Sequence, residues 1–100
     1  MEYYVYILLC ADKSYYTGIT NDIDRRLWEH NSGLITSSYT YTRRPCKLLF
    51  TKTFINPKEA IRLEKKIKGW SRAKKEALMR EDWDEIVRLS NIKHSSTSSE

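Results

Sequence analysis

The sequence predicts an α+β domain in which helices flank a small three-stranded antiparallel β-sheet, in the order ββα-β-ααα. Two runs of aromatic and β-branched residues, at 3–10 and 15–20, are separated by a short turn at 11–13, which indicates a β-hairpin. A third such run at 46–54 follows a polar, irregular segment. The rest of the chain contains four runs that each begin with a residue typical of helix N-caps.

The length of the hairpin loop decides which side chains share a face of the sheet. Side chains alternate along a strand, so Tyr6 shares a face with Tyr16 and Gly18 only if the loop has an odd length. Cys10 opposite Ser14 meets this condition and sets Tyr6 opposite Gly18. A four-residue loop without a bulge instead places Tyr6 and Tyr16 on opposite faces. Glycine weakens the middle of a strand, so Gly18 suggests that another group approaches closely.

The helices are predicted from their capping signals. Asn21 is expected to cap the first helix, and Gly33 is expected to end it. Asn56-Pro57 followed by Glu59 combines a capping box with proline at the first helical position, which is a strong signal for a helix start. The predicted helices are residues 22–31, 57–68, 71–80 and 82–89.

Length and composition predict one domain over residues 1–90, followed by a polar tail at 91–100 that is expected to be disordered. No apolar run is long enough to span a membrane, and the N-terminus lacks the pattern of a secretory signal. Cys10 and Cys46 are therefore expected to be buried free thiols in a cytoplasmic protein, with one disulfide as the alternative. The net charge of +5 favours a polyanionic partner such as nucleic acid, although many small soluble proteins are equally basic.

Two polar side chains on the predicted first helix are candidates for a functional site. Ile23 and Leu27 form the apolar stripe of this helix. Arg26 and His30 are four residues apart, so both project from one flank of the stripe. The alternative is a solvated arginine and a surface histidine, and spacing alone does not exclude it.

The predicted second helix carries an acidic residue beside its apolar stripe. Glu59 and Glu64 both border the stripe, and helical periodicity does not choose between them. Glu59 already has a capping role, so Glu64 remains an acid without a local explanation. A basic neighbour that simply pairs with Glu64 is the alternative. The stripe itself consists of Ala60, Leu63, Ile67 and Trp70.

These residues together resemble the GIY-YIG nuclease domain, and in particular its small stand-alone bacterial subfamily. The first motif stands here as Tyr4-Val5-Tyr6 and the second as Tyr16-Thr17-Gly18. Ten positions lead from Tyr6 to Tyr16, and ten more lead to Arg26. His30 and Glu64 then follow in the family's order. The resemblance covers about residues 3 to 80.

The chain departs from the family pattern at three points. Tyr4-Val5 replaces the leading Gly-Ile of the first motif, and Thr17 is the middle residue of the second. Many members carry an asparagine after the metal-binding acid, and no equivalent stands between Glu64 and Asn91. The key tyrosines remain, and so does Gly18, which the resemblance implies is structural at the site.

The resemblance implies a metal-dependent endonuclease that hydrolyses DNA phosphodiester bonds, structure-selectively or without specificity, in repair or recombination. Glu64 is implied to hold one Mg²⁺ or Mn²⁺ ion, with water and the substrate phosphate completing the shell, so the ion binds loosely without DNA. Arg26 is implied to stabilise charge on the phosphate, and Tyr16 to position water or phosphate. Tyr6 and His30 are both candidates for the general base, and the sequence does not choose between them.

Basic residues are expected to contact the DNA backbone. Those after the acid are Arg62, Lys65, Lys66, Lys68, Arg72, Lys74 and Lys75, and Arg43 and Arg44 form a second patch. No target-recognition segment is apparent, so a protein partner is expected to supply any target specificity, and the oligomeric state is not predicted. The alternatives are a nucleic-acid-binding module with little catalysis, and a structural protein in which Tyr6, Arg26 and Glu64 do not converge.

Overall fold

A computed structural model describes residues 1–96 of the chain, with side chains through residue 91. The chain divides into two compact units, Met1–Gly69 and Trp70–Glu100. The assignment of one domain to residues 1–90 stays a prediction. Gly69 follows the last helix of the first unit, and the two helices of the second unit pack on each other. The sheet and the five candidate catalytic residues belong to the first unit.

The first unit is built on a three-stranded antiparallel sheet, which confirms the predicted fold class. Its strands are β1 (Tyr3–Leu9), β2 (Tyr15–Thr20) and β3 (Lys47–Phe54), in the order β2-β1-β3. The central strand β1 is the most buried, and Val5 and Ile7 are fully buried. Neighbouring strands cover both of its edges, which leaves none of its backbone groups on an open edge.

The predicted register of the hairpin is confirmed. The backbone N–H of Cys10 donates to the carbonyl of Ser14 at 2.9 Å, which closes a three-residue loop. Tyr6 consequently lies opposite Gly18. Because side chains alternate along β2, Tyr16 and Gly18 share a face with Tyr6.

A β-bulge in β3 places an apolar side chain beside this face. Ile7 lies opposite Phe50 and Leu8 lies opposite Leu48, so Leu49 is the extra residue. The shift turns Leu48 toward the side of the sheet that carries Leu8, and Leu48 packs there at the margin of the core. The bulge thus extends the apolar surface beneath the first helix.

That first helix, α1 (Ile23–Ser32), packs on the face of the sheet that carries Tyr6. Its partly buried Ile23 and Leu27 contact a buried cluster that includes Tyr6 and Leu8. The predicted apolar stripe is therefore confirmed. The flank of α1 that carries Arg26 and His30 therefore lies against the face of the sheet that carries Tyr6.

The N-cap of α1 is Asp22, and the prediction of Asn21 is wrong by one residue. Asp22 Oδ1 accepts a hydrogen bond from the Arg25 N–H at 3.1 Å. The Thr20 hydroxyl oxygen accepts from the Asp22 N–H at 3.1 Å, which holds an extra residue in the turn before the helix. Gly33 ends the helix as predicted, in the left-handed conformation with φ of 78°.

The helix α2 (Pro57–Lys68) begins and ends where the sequence predicts. Asn56 Oδ1 accepts a hydrogen bond from the Lys58 N–H at 2.8 Å, and proline occupies the first turn. Ala60 and Ile67 are fully buried, and the helix contacts all three strands. One turn of 3₁₀ helix lies in the segment between α1 and β3.

The second unit contains α3 (Arg72–Met79) and α4 (Trp83–Ser96). The sequence predicts an end near residue 89 and a disordered tail from 91, but the helix continues to Ser96. Residues 90–96 contain neither glycine nor proline, so each added residue extends the hydrogen-bonded helix. Residues 97–100 of the predicted tail lie outside the described residues.

The two cysteines of the first unit are buried free thiols, as the sequence predicts. The Sγ atoms of Cys10 and Cys46 lie 3.7 Å apart, close to the loop of the hairpin. Burial raises the pKa of the Cys46 thiol to about 12, so this thiol stays protonated at neutral pH. Within residues 1–96, none of the helices has the length and apolar character needed to cross a membrane.

Candidate active site

Two polar side chains contact the hydroxyl of Tyr6, which projects from the middle of β1. Tyr6 Oη lies 2.8 Å from His30 Nε2. Arg26 Nε donates to the same oxygen at 3.4 Å. Arg26 and His30 stand one turn apart on α1, so the prediction that they share a flank of this helix is confirmed. Tyr6 is 1% exposed and His30 is 4% exposed, so the contact is buried.

Gly18 provides the space that the Tyr6 side chain occupies. A Cβ atom built at Gly18 would lie 2.5 Å from Tyr6 Cζ, much closer than carbon atoms approach in folded proteins. The group that approaches Gly18 closely is therefore the side chain of Tyr6 on the neighbouring strand. Any larger residue at this position would push the hydroxyl away from His30.

Burial keeps the phenol of Tyr6 protonated. It raises the pKa of Tyr6 to about 12, and this effect outweighs the hydrogen bond from Arg26, which lowers the pKa. Tyr16 and Glu29 raise the pKa further through charge interactions. At neutral pH the group is a phenol, so Tyr6 takes up a proton only if it passes its own to another group.

His30 is held on both sides of its ring. Its Nδ1 lies 2.7 Å from the hydroxyl oxygen of Thr40, which is fully buried. Burial is the largest cause that lowers the pKa of His30, Arg26 lowers it further, and Glu29 opposes both. The imidazole is therefore favoured as a neutral ring, with one nitrogen able to accept a proton.

Tyr16 packs against the same cluster through its ring. The centroid of its ring lies 5.0 Å from that of His30, in an edge-to-face arrangement, and 6.3 Å from that of Tyr6, at a tilted angle. Tyr39 stacks on Tyr16 with centroids 5.9 Å apart, and the guanidinium of Arg43 lies 3.8 Å from the Tyr39 ring centroid. The stack fixes the Tyr16 ring against His30.

Arg26 also forms an ion pair at the surface of α1. Its Nη1 donates to Glu29 Oε1 at 3.1 Å, and Arg25 Nε donates to the other oxygen of Glu29 at 3.2 Å. The Arg26 side chain is 33% exposed, so it reaches solvent from the buried tyrosine. An open depression of about 240 Å³ lies there, lined by Thr20, Asn21, Asp22, Arg25, Arg26 and Glu29.

Glu64 lies on α2, with a side chain that is only 12% exposed. Its Oε2 lies 2.7 Å from Lys68 Nζ, so the predicted alternative of a basic partner is also realised. The hydrogen bond to Glu64 is the main reason that the pKa of Lys68 is raised, and Tyr16 adds a smaller charge effect.

The carboxylate of Glu64 suits a divalent ion that keeps most of its water. Mg²⁺ is commonly bound through one or two carboxylates, with water and substrate phosphate as the remaining ligands. In the part of the chain with described side chains, no group of three or more His, Cys, Asp or Glu residues is arranged to hold a metal ion. Glu64 can therefore hold such an ion only in a shell that water and phosphate complete, and only if Lys68 moves away.

Several predicted DNA-binding residues have partners within the protein. In the first unit, Arg43 donates to Asp12 and to the Tyr39 carbonyl, and Arg44 donates to the Tyr41 carbonyl. Lys65 is exposed on α2.

Three of the predicted DNA-binding residues, Arg72, Lys74 and Lys75, lie in the second unit. Arg72 pairs with Glu76, and the Lys74 ammonium lies 4.5 Å from the Trp70 ring centroid. Lys75 is half-buried, and burial lowers its pKa. Basic residues of both units are therefore partly engaged, and ion pairs and ring contacts that are exposed to solvent are weak enough to exchange for phosphate.

Sequence reasoning does not single out three residues that the structure places at the site. Glu29 follows Arg26 by three positions and Arg25 by four, and this spacing is a detectable signal for ion pairs along a helix. Thr40 and Tyr39 lie in an irregular segment, where no periodicity indicates which side chains turn inward.

The fold and the cluster around Tyr6 define a GIY-YIG domain. The family profile described as GIY-YIG catalytic domain matches residues 2–77. The chain therefore belongs to the GIY-YIG family, which is a nuclease family whose members generally use a divalent metal ion.

Within this family the chain is similar to proteins named UPF0213. A UPF0213 protein of Bacillus pumilus is 43% identical over 80 residues, which cover 80% of this chain and 81% of the relative. A UPF0213 protein of Halobacterium salinarum is 47% identical over 76 residues, which cover 76% of this chain and 97% of the relative. The similarity thus spans most of each protein.

Two solved structures share the architecture. The solution NMR structure of the UPF0213 protein BH0048 from Bacillus halodurans is 48% identical with a TM-score of 0.54. That of the E. faecalis protein EF2693 is 39% identical with a TM-score of 0.59. Each match covers 80% of this chain and 84% of the other. The α+β arrangement is therefore shared with solved structures of close sequence.

Proposed function

We propose that this protein is a metal-dependent endonuclease that hydrolyses DNA phosphodiester bonds. The observation that carries the proposal is the meeting of Arg26, His30 and Tyr6 at one phenol oxygen. Hydrolysis of a phosphodiester requires a group that takes a proton from water and a cation that stabilises charge on the phosphate. This cluster contains both.

The proton path in this proposal uses Tyr6 and His30 as one unit. The raised pKa of Tyr6 excludes a stable phenolate at neutral pH. Tyr6 takes the proton of the attacking water as its own proton passes over 2.8 Å to His30 Nε2. Tyr6 and His30, the two candidates for the general base, then act together in one proton relay.

Charge on the phosphate is stabilised by Arg26 in this proposal. A guanidinium only donates hydrogen bonds, and its planar fork matches the oxygens of a phosphate. One edge of the Arg26 guanidinium already touches Tyr6, while the other pairs with the partly buried carboxylate of Glu29. A substrate phosphate in the depression beside α1 would replace that carboxylate. Tyr16 orients the attacking water or the phosphate.

Glu64 is the residue that would hold the metal ion. A bound Mg²⁺ or Mn²⁺ would supply positive charge that polarises the phosphate and stabilises the leaving alkoxide. Lys68, released from Glu64, would be free to contact a phosphate oxygen. The exposed basic residues add contacts to the backbone, which carry little sequence information. We therefore propose structure-selective or non-specific cleavage in repair or recombination in the cytoplasm, with a protein partner supplying any target specificity.

The direct test is the cleavage of plasmid, flap, fork, single-stranded and duplex DNA by purified protein with Mg²⁺ or Mn²⁺. The Glu64→Ala variant, prepared in the same way, controls for contaminating nucleases. The proposal requires cleavage by the wild type that Glu64→Ala loses. Equal cleavage by both proteins, or none by either, contradicts it.

Two ion pairs favour a second candidate, a nucleic-acid-binding module with little catalysis. Arg26 is neutralised by Glu29, and Glu64 is neutralised by Lys68. Both pairs must open before the residues act on a substrate. This candidate predicts salt-sensitive DNA binding without cleavage under any metal ion, and failure to bind DNA or RNA at low salt contradicts it.

A further inference from the structure

A chain of hydroxyl contacts continues from His30 into the segment after α1. His30 Nδ1 lies 2.7 Å from Thr40 Oγ1, and Thr40 Oγ1 lies 2.9 Å from Ser38 Oγ. The Ser38 oxygen also accepts from the Thr40 N–H at 3.2 Å, which closes a tight local turn. Thr40 is fully buried, although it belongs to an irregular, polar segment.

The contacts around Tyr6 determine the direction of these hydrogen bonds. Arg26 can only donate, so one lone pair of the Tyr6 oxygen is already used. The hydroxyl proton of Tyr6 then needs an acceptor. Among the described side chains that contact this hydroxyl, only His30 offers a lone pair, at Nε2. Tyr6 therefore donates to His30 Nε2.

The direction of this bond fixes the proton on the other side of the ring. A neutral imidazole whose Nε2 accepts must carry its proton on Nδ1. That proton needs an acceptor, since an unpaired N–H in a buried site is costly. Thr40 Oγ1 is the atom within reach, and its own proton then points to Ser38.

We propose that Thr40 is a positioning residue that accepts the Nδ1 proton of His30 and thereby holds the Nε2 lone pair toward Tyr6. Without this acceptor, the alternative tautomer places a proton between His30 and Tyr6 and blocks transfer from the phenol. Ser38 supports the arrangement by accepting the Thr40 proton. The catalytic consequence rests on the proposed nuclease function, whereas the tautomer is a property of the folded protein alone.

The tautomer is measured by ¹⁵N NMR of the imidazole in the uncomplexed protein. Protonated and unprotonated ring nitrogens resonate at well-separated frequencies, so the spectrum reports which nitrogen carries the proton. A His94→Asn background leaves His30 as the single imidazole, since the chain has two histidines. In this background His30 is expected to carry its proton on Nδ1. A proton on Nε2 overturns the proposal without any need for a variant at Thr40.

Two substitutions at Thr40 separate positioning from packing. Thr40→Ser keeps the hydroxyl and is expected to keep the Nδ1–H tautomer. Thr40→Val keeps the shape, removes the acceptor, and is expected to increase the Nε2–H population. Thr17→Val is the matched control, because Thr17 is a buried threonine whose hydroxyl has no hydrogen-bond partner among the described residues. An unchanged tautomer in folded Thr40→Val overturns the proposal.

A milder variant keeps the test decisive if Thr40→Val does not fold. Ser38→Ala removes the acceptor of the Thr40 proton, which can then turn toward His30 Nδ1. This variant is expected to shift the tautomer in the same direction as Thr40→Val. No shift in the folded Ser38→Ala protein would mean that the chain of hydroxyls does not orient the ring.

Cleavage kinetics test the catalytic consequence separately. Thr40→Val is expected to lower kcat by about 10- to 100-fold with little change in KM, the size typical of residues that orient an active group. Thr40→Ser should restore most of the rate. If the wild type cleaves nothing while the tautomer results hold, the nuclease function fails and the positioning role remains. Cleavage by the wild type with equal kcat in Thr40→Val overturns the catalytic part of the proposal.

Discussion

Tyr6 Oη lies 2.8 Å from His30 Nε2, although the two residues come from the central strand and from the helix that covers it. The contact is buried and is reinforced by Arg26, which donates to the same oxygen. A buried polar contact costs folding free energy unless every donor and acceptor in it has a hydrogen-bond partner. The geometry of this contact therefore depends closely on the packing around it. Substitutions that move either ring should therefore change stability and activity together.

Substitution of Gly18 should displace the Tyr6 ring. In Gly18→Ala the new methyl group collides with the tyrosine, so we expect a loss of about 1–3 kcal/mol in the free energy of unfolding, together with a loss of cleavage. Urea denaturation measures the first effect. Gly69→Ala is the control, because a Cβ atom there lies an ordinary 3.6 Å from the Lys66 carbonyl oxygen. Similar losses in both variants would contradict the close packing of Tyr6 on Gly18.

Stability should depend on pH through His30. Its pKa is lowered from the ordinary value of 6.5 by burial and by Arg26, with Glu29 opposing. The unfolded chain therefore binds a proton on this ring at a pH where the folded protein does not. The stabilisation is fully present above about pH 6.5 and is lost as the pH falls through the pKa of the folded state.

Urea denaturation between about pH 5 and 8 measures this dependence. His30→Gln should flatten the decline on the acidic side relative to the wild type, because carboxyl groups titrate alike in both proteins. His94→Gln serves as the control and should keep the wild-type slope. A decline that is unchanged in His30→Gln would show that the lowered pKa of this ring does not govern stability.

Removal of the Glu29 carboxylate should strengthen DNA binding. Glu29→Gln frees Arg26 and Arg25 for phosphate, so we expect a several-fold lower Kd and a steeper dependence of affinity on salt. Glu85→Gln makes the same charge change at another helix ion pair, with Arg88. Fluorescence anisotropy with a labelled duplex compares the two. Equal gains in DNA affinity in both variants would show that the effect comes from net charge alone.

Removal of the Lys68 ammonium should expose the Glu64 carboxylate to metal ions. Lys68→Met is expected to tighten Mn²⁺ binding in the absence of DNA, because the ion no longer competes with a bonded lysine. Lys65→Met, at an exposed position of the same helix, makes the same charge change and should have a smaller effect. Titration followed by electron paramagnetic resonance measures free Mn²⁺. Tighter binding that persists in Lys68→Met combined with Glu64→Gln would place the ion elsewhere.

The sequence predicts the geometry around Tyr6 where that geometry depends on the repeat of a helix or strand, or on the length of a short loop. An odd hairpin loop sets Tyr6 opposite Gly18, and helical spacing places Arg26 and His30 on one flank. Both inferences use local rules that the tertiary structure does not override. The pair of Lys68 with Glu64 also follows from a spacing of four residues.

The contacts of the irregular segment between α1 and β3 cannot be predicted from such local rules. Thr40 reaches His30 because the chain between α1 and β3 folds inward, and no period in that segment marks Thr40 as buried. The cap at Asp22 depends on the hydrogen bond that the Thr20 hydroxyl oxygen accepts from the Asp22 N–H. This bond shifts the start of the helix by one residue. The end of α4 is misjudged because polar composition is a weak predictor of where a helix stops.

We propose that the cluster at the Tyr6 hydroxyl is the active centre of a DNA endonuclease. The most direct measurement compares rates of DNA cleavage with Mg²⁺ or Mn²⁺ by the wild type, Tyr6→Phe and Tyr3→Phe. Tyr3 lies on the same strand but on its other face, so its variant controls for loss of a hydroxyl from β1. We predict that Tyr6→Phe lowers the rate at least about 100-fold while Tyr3→Phe stays near the wild type. Cleavage by folded Tyr6→Phe at the wild-type rate would contradict the claim.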